Sequence, residues 1–155
     1  MSTEPECRLV RAETTYDGKQ GLTYRRGIAA ETVGSTGICM HLLTVPPGGR
    51  AKVHLHEKHE TAIYVLEGEA WTLHGELLQH QTLTRAGDLL YIPAGVPHLP
   101  VNLSDKPISA VIARTDASEQ ESVVLLPDLE PLAEEIIAAL KSGDLKPELK
   151  APPLV

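Results

Sequence analysis

Residues 87–102 read GDLLYIPAGVPHLPVN; the constrained positions are Gly87-x5-Pro93-x-Gly95-x2-His98-x3-Asn102. Gly87 and Gly95 permit sharp turns, and Pro93 and Pro97 fix their own backbone angles. The chain is turned back on itself at Pro93-Ala94-Gly95, so that His98 opens a returning strand. Asn102, with a short polar side chain, is suited to tether the turn that follows. A second signature lies upstream: Gly48-x5-His54-x-His56-x3-Glu60, with Gly68 beyond it. Residues two apart on a strand point to the same side, so His54 and His56 share a face. His98, from another strand, can converge on the same point. Three neutral imidazoles around one point make a metal site.

Outward from these signatures, the chain alternates short apolar runs with turn residues. The runs are Ile38–Val45, Ala62–Leu66, Ala70–Leu73, Leu89–Ile92 and Ile108–Ala113. Turns are expected at Pro46-Pro47-Gly48-Gly49, Gly68, Gly75, Ala86-Gly87-Asp88, Pro93-Ala94-Gly95 and Ser104-Asp105-Lys106-Pro107. Short strands at this spacing predict an antiparallel sandwich or barrel, and no helical pattern interrupts them to suggest βα units. The period changes over 128–142, where Leu129, Leu132, Ile136, Ile137 and Leu140 recur at helical spacing. Asp128 and Glu130 at its start, Lys141 at its end and Gly143 beyond it complete one amphipathic helix. Its apolar stripe is expected to cover the barrel. The resulting organisation is an N-terminal arm with first strands over 1–37, a β-barrel core over 38–116, and a C-terminal segment over 117–155 that ends in a Pro-containing extended tail.

Composition narrows the function classes. The chain has 155 residues, enough for one domain with a core. It has no Phe, and Trp71 is its single Trp, so that core is aliphatic. The formal charge is −7 with no basic stripe, which argues against nucleic acid and anionic membranes as partners. Cys7 and Cys39 form neither a disulfide framework nor a zinc-ribbon spacing, as expected of two thiols in a reducing cytosol. The first ten residues lack a signal-peptide core, and no run approaches the roughly 18 apolar residues of a membrane span. A cytoplasmic location is expected.

The two signatures resemble the two conserved motifs of the cupin superfamily, and the chain is similar to its small single-domain bacterial conserved-barrel members. The second signature fits at Gly87, Pro93, Gly95, His98 and Asn102; the first fits at Gly48, His54 and His56. The resemblance implies an all-β fold, an antiparallel double-sheet β-barrel of cupin or jelly-roll type, with one C-terminal α-helix added. It also implies one divalent transition metal (Fe, Mn, Zn or Ni) held by His54, His56, His98 and a glutamate. The register of that glutamate falls here on Thr61, with Glu60 one residue earlier and His59 before it. Three readings stand: Glu60 completes a His3Glu site, His59 completes a four-His site, or three His bind alone with positions left for water or substrate. Glu60 is favoured, because carboxylates suit Fe, Mn and Zn alike. Strand parity speaks for the others, since it places His59 and Thr61 on one face and Glu60 on the opposite one.

The metal reading implies a small organic substrate or ligand inside the barrel. The reaction favoured from the sequence is an oxidoreductase of dioxygenase type; the alternatives are a metal-dependent isomerase, lyase or decarboxylase, or a non-catalytic small-molecule-binding barrel. A metal-free epimerase with a histidine base fits less well, because three histidines are kept. His41, Tyr64, Trp71, His74 and Tyr91 lie on expected strands as core, rim or surface residues, and His80 lies in the intermotif loop. No phosphate loop or nucleophile elbow is present. A homodimer is expected, with residues 11–37 and the helix stripe as contacts.

Overall fold

The computed structural model describes residues 4–120 and 122–145. The expected tail beyond 145 lies outside them. The strands form where apolar residues alternate. In Ile108–Arg114, Ile108, Ala110, Ile112 and Arg114 are buried and the residues between them are partly exposed. Eleven strands result among the described residues: β1 Thr15–Asp17, β2 Thr23–Ile28, β3 Cys39–Val45, β4 His54–His56, β5 Thr61–Glu67, β6 Glu69–His74, β7 His80–Arg85, β8 Leu89–Ile92, β9 His98–Val101, β10 Ile108–Arg114 and β11 Val123–Leu125. A single helical turn, α1 Ala30–Val33, follows β2, and α2 Glu130–Ser142 closes the described chain after a 3-10 turn at Pro127–Leu129.

The strands make two antiparallel sheets. One has the order β1-β2-β3-β10-β5-β8, the other β11-β4-β9-β6-β7. This is the double-sheet β architecture with a C-terminal helix expected from the sequence. The inner faces of the sheets enclose a cavity. The outer face of the second sheet is buried as well: Leu73, Leu99 and Val101 alternate with cavity residues and join one apolar cluster with Ala133 and Ile137 of α2. The helix stripe is therefore used within its own chain.

Two strands depart from the expected outline. Residues 80–85 form β7, fully paired with β6, where a loop was expected. Their sequence, HQTLTR, offers one aliphatic residue, so its strand character comes from the pairing rather than from a hydrophobic pattern. Residues 123–125 form β11, paired to β4. In the segment read as an arm with first strands, β1 and β2 extend the first sheet.

Two turns fix the frame around the histidines. Asn102 is fully buried. Its Nδ2 donates to the carbonyls of Val45 (3.1 Å) and Lys106 (2.7 Å), and its Oδ1 accepts from the Ser104 amide (3.0 Å) and hydroxyl (2.8 Å). The side chain thus locks the β9–β10 connection to the end of β3, the tether its sequence position suggested. Gly68 has φ +80°, and a Cβ there would lie 2.6 Å from the Pro107 carbonyl oxygen. A side chain at this position would push apart the β5–β6 turn and the start of β10.

Candidate metal centre

His54 and His98 stand directly opposite one another in the β4–β9 pairing. Their ring centroids are 4.4 Å apart; His56 lies 5.0 Å from His54 and 5.1 Å from His98. One ring nitrogen from each of the three can be chosen so that all lie within 4.8 Å of one another. All three rings are buried. The turn of the second signature is pinned to this strand, because the Gly95 amide donates to the His56 carbonyl at 2.7 Å.

The backbone sets the tautomers. Nδ1 of His54 lies 2.7 Å from the Lys52 carbonyl, and Nδ1 of His98 lies 2.8 Å from the Val96 carbonyl. A carbonyl can only accept, so each Nδ1 carries the proton and donates it. The Nε2 lone pairs of both rings are left for a ligand, as in metal sites with outer-shell carbonyls. Burial pushes the His54 pKa down to about 3, assisted by His98, and pushes His98 down to about 4, assisted by the Arg114 charge. The carbonyl hydrogen bonds oppose both shifts without cancelling them. His56 is lowered too, first by burial and then by its two histidine neighbours. The donors are neutral imidazoles near neutral pH, the form a transition metal binds. The cluster could hold one metal ion.

The structure does not bring Glu60 to this cluster. Glu60 is exposed, and its carboxylate accepts a hydrogen bond from the Tyr91 hydroxyl at 2.6 Å. Parity is the reason: His59 and Thr61 are buried, and Glu60 between them faces out. His59 packs its ring on His56 at 4.4 Å, while its Nδ1 faces the Ser122 hydroxyl (3.2 Å) and the Asp116 carboxylate (3.6 Å). Thr61 lines the cavity. Its buried Oγ1 has no hydrogen-bond partner among the described residues.

The cavity measures about 60 Å3 as space open to the centre of a water-sized sphere. That is well above the roughly 10–15 Å3 one water needs. Its wall is largely aliphatic, with Leu43, Val65, Ile108 and Ile112, and the three histidines, Thr61, Thr72, Thr84, Tyr24 and Arg114 add polar groups to it. Arg114 was not singled out from the sequence, although the alternation of 108, 110 and 112 extended by one step reaches it.

The remaining candidates sit elsewhere. His41 accepts the Gly27 amide at Nδ1 (3.1 Å) and packs edge-on against Tyr16 and Tyr24. His74 meets the Thr82 hydroxyl at 3.0 Å, and His80 is exposed. Tyr64 and Tyr91 are exposed on the outer face of the first sheet, and Trp71 packs against the core. The start of β4 is held from outside: Glu130 of α2 accepts the Val53 amide at 2.6 Å and pairs with Arg50.

The family described as cupin domain matches residues 41–113, the span that carries both histidine signatures. These residues form a cupin domain. Solved cupin-like structures share its architecture. A Cupin 2 conserved barrel domain protein from Salinispora arenicola superposes with a TM-score of 0.57 at 20% identity, over 86% of this chain and 99% of that one. The polyketide cyclase RemF from Streptomyces resistomycificus gives 0.62 at 22%, over 83% and 94%. A putative sugar phosphate isomerase from Acidithiobacillus ferrooxidans gives 0.53 at 20%, over 64% of this chain and 65% of that one, so the present chain spans about two thirds of its length. At these identities the likeness is one of fold. No curated protein matches the sequence. No helix among the described residues is long and apolar enough to cross a membrane.

The lowered histidine pKa values make the metal-free cupin domain sensitive to acid. An unfolded histidine titrates near 6.5, whereas His54 and His98 titrate at about 3 and about 4 in the fold. Between those limits the unfolded chain binds protons that the folded chain refuses. Stability is therefore complete above pH 6.5 and falls as the pH drops, by up to about 1.4 kcal/mol per pH unit for each such histidine. Urea denaturation of chelator-treated protein at pH 7.5 and 5.5 should show a clearly lower midpoint at the acid pH. An unchanged midpoint would contradict the burial of neutral rings.

Proposed function

We propose that the domain binds one divalent transition metal through His54, His56 and His98 and acts there on a small organic molecule. The observation that carries this reading is the pair of Nδ1–carbonyl hydrogen bonds at His54 and His98, which aim unprotonated Nε2 atoms from facing strands into one cavity. Such a metal, when bound, supplies Lewis-acid polarisation of a substrate oxygen. The protein's own groups do the rest: three neutral donors leave the ion's charge undiminished, and the aliphatic wall excludes water around the substrate. Of the reaction classes open to this site, we favour isomerase, lyase or decarboxylase chemistry over the dioxygenase type expected from the sequence. The undiminished charge of an all-imidazole set suits polarisation of a substrate oxygen. The names of fold neighbours, which include an isomerase and a cyclase, lean the same way. A binding role without turnover uses the same cavity.

The domain is further proposed to form a homodimer through the outer face of the first sheet. Met40, Tyr64, Leu66, Leu89 and Tyr91 are exposed there, and such contiguous apolar surface marks an interaction site. The chain carries a net −7, so association of two copies needs the burial of apolar surface to offset their repulsion. The helix stripe, expected as a contact, is spent inside the chain. Sedimentation of the wild-type protein at micromolar concentration should give a dimer, and Tyr64→Glu with Tyr91→Glu should give a folded monomer. A wild-type monomer would contradict the proposal.

Metal analysis of protein purified without an affinity tag should find about one metal per chain, as a formed site of this kind binds. His54→Ala and His98→Ala together should abolish it, and retention of the full metal content would refute the site. With the metal in place, turnover of an identified substrate should continue under argon. Strict coupling of turnover to O2 uptake would instead move the assignment to a dioxygenase.

A further inference from the structure

Four histidines occupy one line across the second sheet. His54 of β4 stands opposite His98 of β9, His98 opposite His74 of β6, and His74 opposite His80 of β7. Opposed residues of antiparallel strands share a face, with Cβ atoms about 4.5–5.5 Å apart. The line therefore runs along the cavity-facing side of the sheet, the side that His54 and His98 take. It is also graded in exposure. His80, on the last strand of the sheet, is exposed, His74 is partly buried, and His98 and His54 are buried. A path of imidazoles thus leads from solvent to the candidate metal centre.

The outer two histidines have the geometry of a ligand pair. Their ring centroids are 5.3 Å apart, close to the 5.0 and 5.1 Å that separate His54 from His56 and His56 from His98 in the buried cluster. Two imidazoles bound to one ion at about 2.0–2.1 Å, with a tetrahedral angle between them, have centroids about 5 Å apart. His74 is also held in orientation. Its Nε2 lies 3.0 Å from the hydroxyl of Thr82, which shares a face of β7 with His80. With Nε2–H donated to that hydroxyl, Nδ1 keeps its lone pair, the arrangement of a metal-bound histidine with an outer-shell partner. Burial lowers the proton affinity of His74, and His80 lowers it further, so the ring is a neutral donor near neutral pH. His74 in turn lies close enough to lower the proton affinity of His98. Among the described residues no third His, Cys, Asp or Glu donor joins the outer pair, whereas three donors meet in the buried cluster. A pair holds an ion more weakly than a triad, as suits a station that must release what it captures.

We infer that His80 and His74 capture a divalent transition metal from solution and pass it along the line to the His54–His56–His98 cluster. This rests on the metal reading of that cluster and deepens it by assigning the route by which the ion enters. The transfer is a ligand exchange: a bond from the ion to a cluster imidazole forms as its bond to His74 breaks. The ion keeps its charge and oxidation state. The receiving rings are already neutral, so no proton is displaced. Such a station acts on rates. It speeds entry and exit by the same factor and leaves the affinity of the buried site unchanged.

The test is stopped-flow mixing of chelator-treated protein with Co2+, followed by the visible absorption of the bound cobalt. Wild type is compared with His74→Gln, His80→Gln and the double variant, and release of Co2+ from the loaded proteins to excess EDTA is timed as well. Loading should slow by about tenfold in the double variant, because capture beside the site raises the local concentration of the ion. Each single variant should slow by less. Release should slow by the same factor as loading, so that Kd stays constant. His80 is exposed on an edge strand, and His80→Gln keeps the test open if His74→Gln does not fold. Equal loading rates in wild type and the variants that fold overturn the inference. Slower loading with a raised Kd also overturns it, since the pair would then be a structural support of the cluster. A wild type that takes up no Co2+ refutes the metal reading of the cluster and the route with it, an outcome distinct from loading that ignores His74 and His80.

Discussion

His54 and His98 face one another across the β4–β9 pairing, and that register is the constraint on which the site depends. A strand shifted by one residue turns all its side chains to the opposite face. The frame around the pairing holds it in place. The Gly95 amide ties the turn before β9 to the His56 carbonyl, and the Ala51 amide ties the approach to β4 to the Pro100 carbonyl. β11 pairs along the other edge of β4 over all three of its residues, and Glu130 of α2 binds the Val53 amide. A strand of three residues has little pairing of its own, and these contacts from four parts of the chain supply what it lacks. The C-terminal segment is therefore part of the site's support as well as a cover for the core.

The electrostatics of the cavity follow from the same geometry. Burial holds the histidines neutral, which makes them donors for a metal, and Arg114 adds a positive charge that reinforces their neutrality. Their neutrality rests on a balance of burial and the Arg114 charge against the two carbonyl hydrogen bonds. The exposed Glu60, bonded to Tyr91, takes no part in that balance.

Much of this was legible in the sequence because backbone constraint leaves strong marks. Gly87, Pro93, Gly95 and Asn102 each restrict the chain in a way few residues can, and with His98 they fix a turn and a returning strand. The alternation of apolar residues located β3, β5, β6, β8 and β10. β7 was not legible, because HQTLTR lacks the aliphatic alternation that marks a strand and forms one only when β6 lies beside it. β11 was missed because three residues, none of them fully buried, after a polar loop carry no periodic signal. At the fourth ligand position, chemical preference for a carboxylate pointed to Glu60, while the two-residue period pointed to Thr61 and His59 as inward. The structure follows the period. Arg114 went unnoticed because a charged residue at the end of an apolar run looks like the strand's solvent boundary, whereas parity places it inside.

The proposed metal centre consists of three imidazoles without a carboxylate from the described residues. X-ray absorption at the metal edge of the protein as isolated, fitted with imidazole multiple scattering, measures that directly. Three histidine ligands, with the remaining positions filled by light atoms that exchange with added ligand, and an unchanged spectrum in Glu60→Gln, are the result expected. A spectrum that changes in Glu60→Gln, or a fit that requires four imidazoles or none, would contradict it.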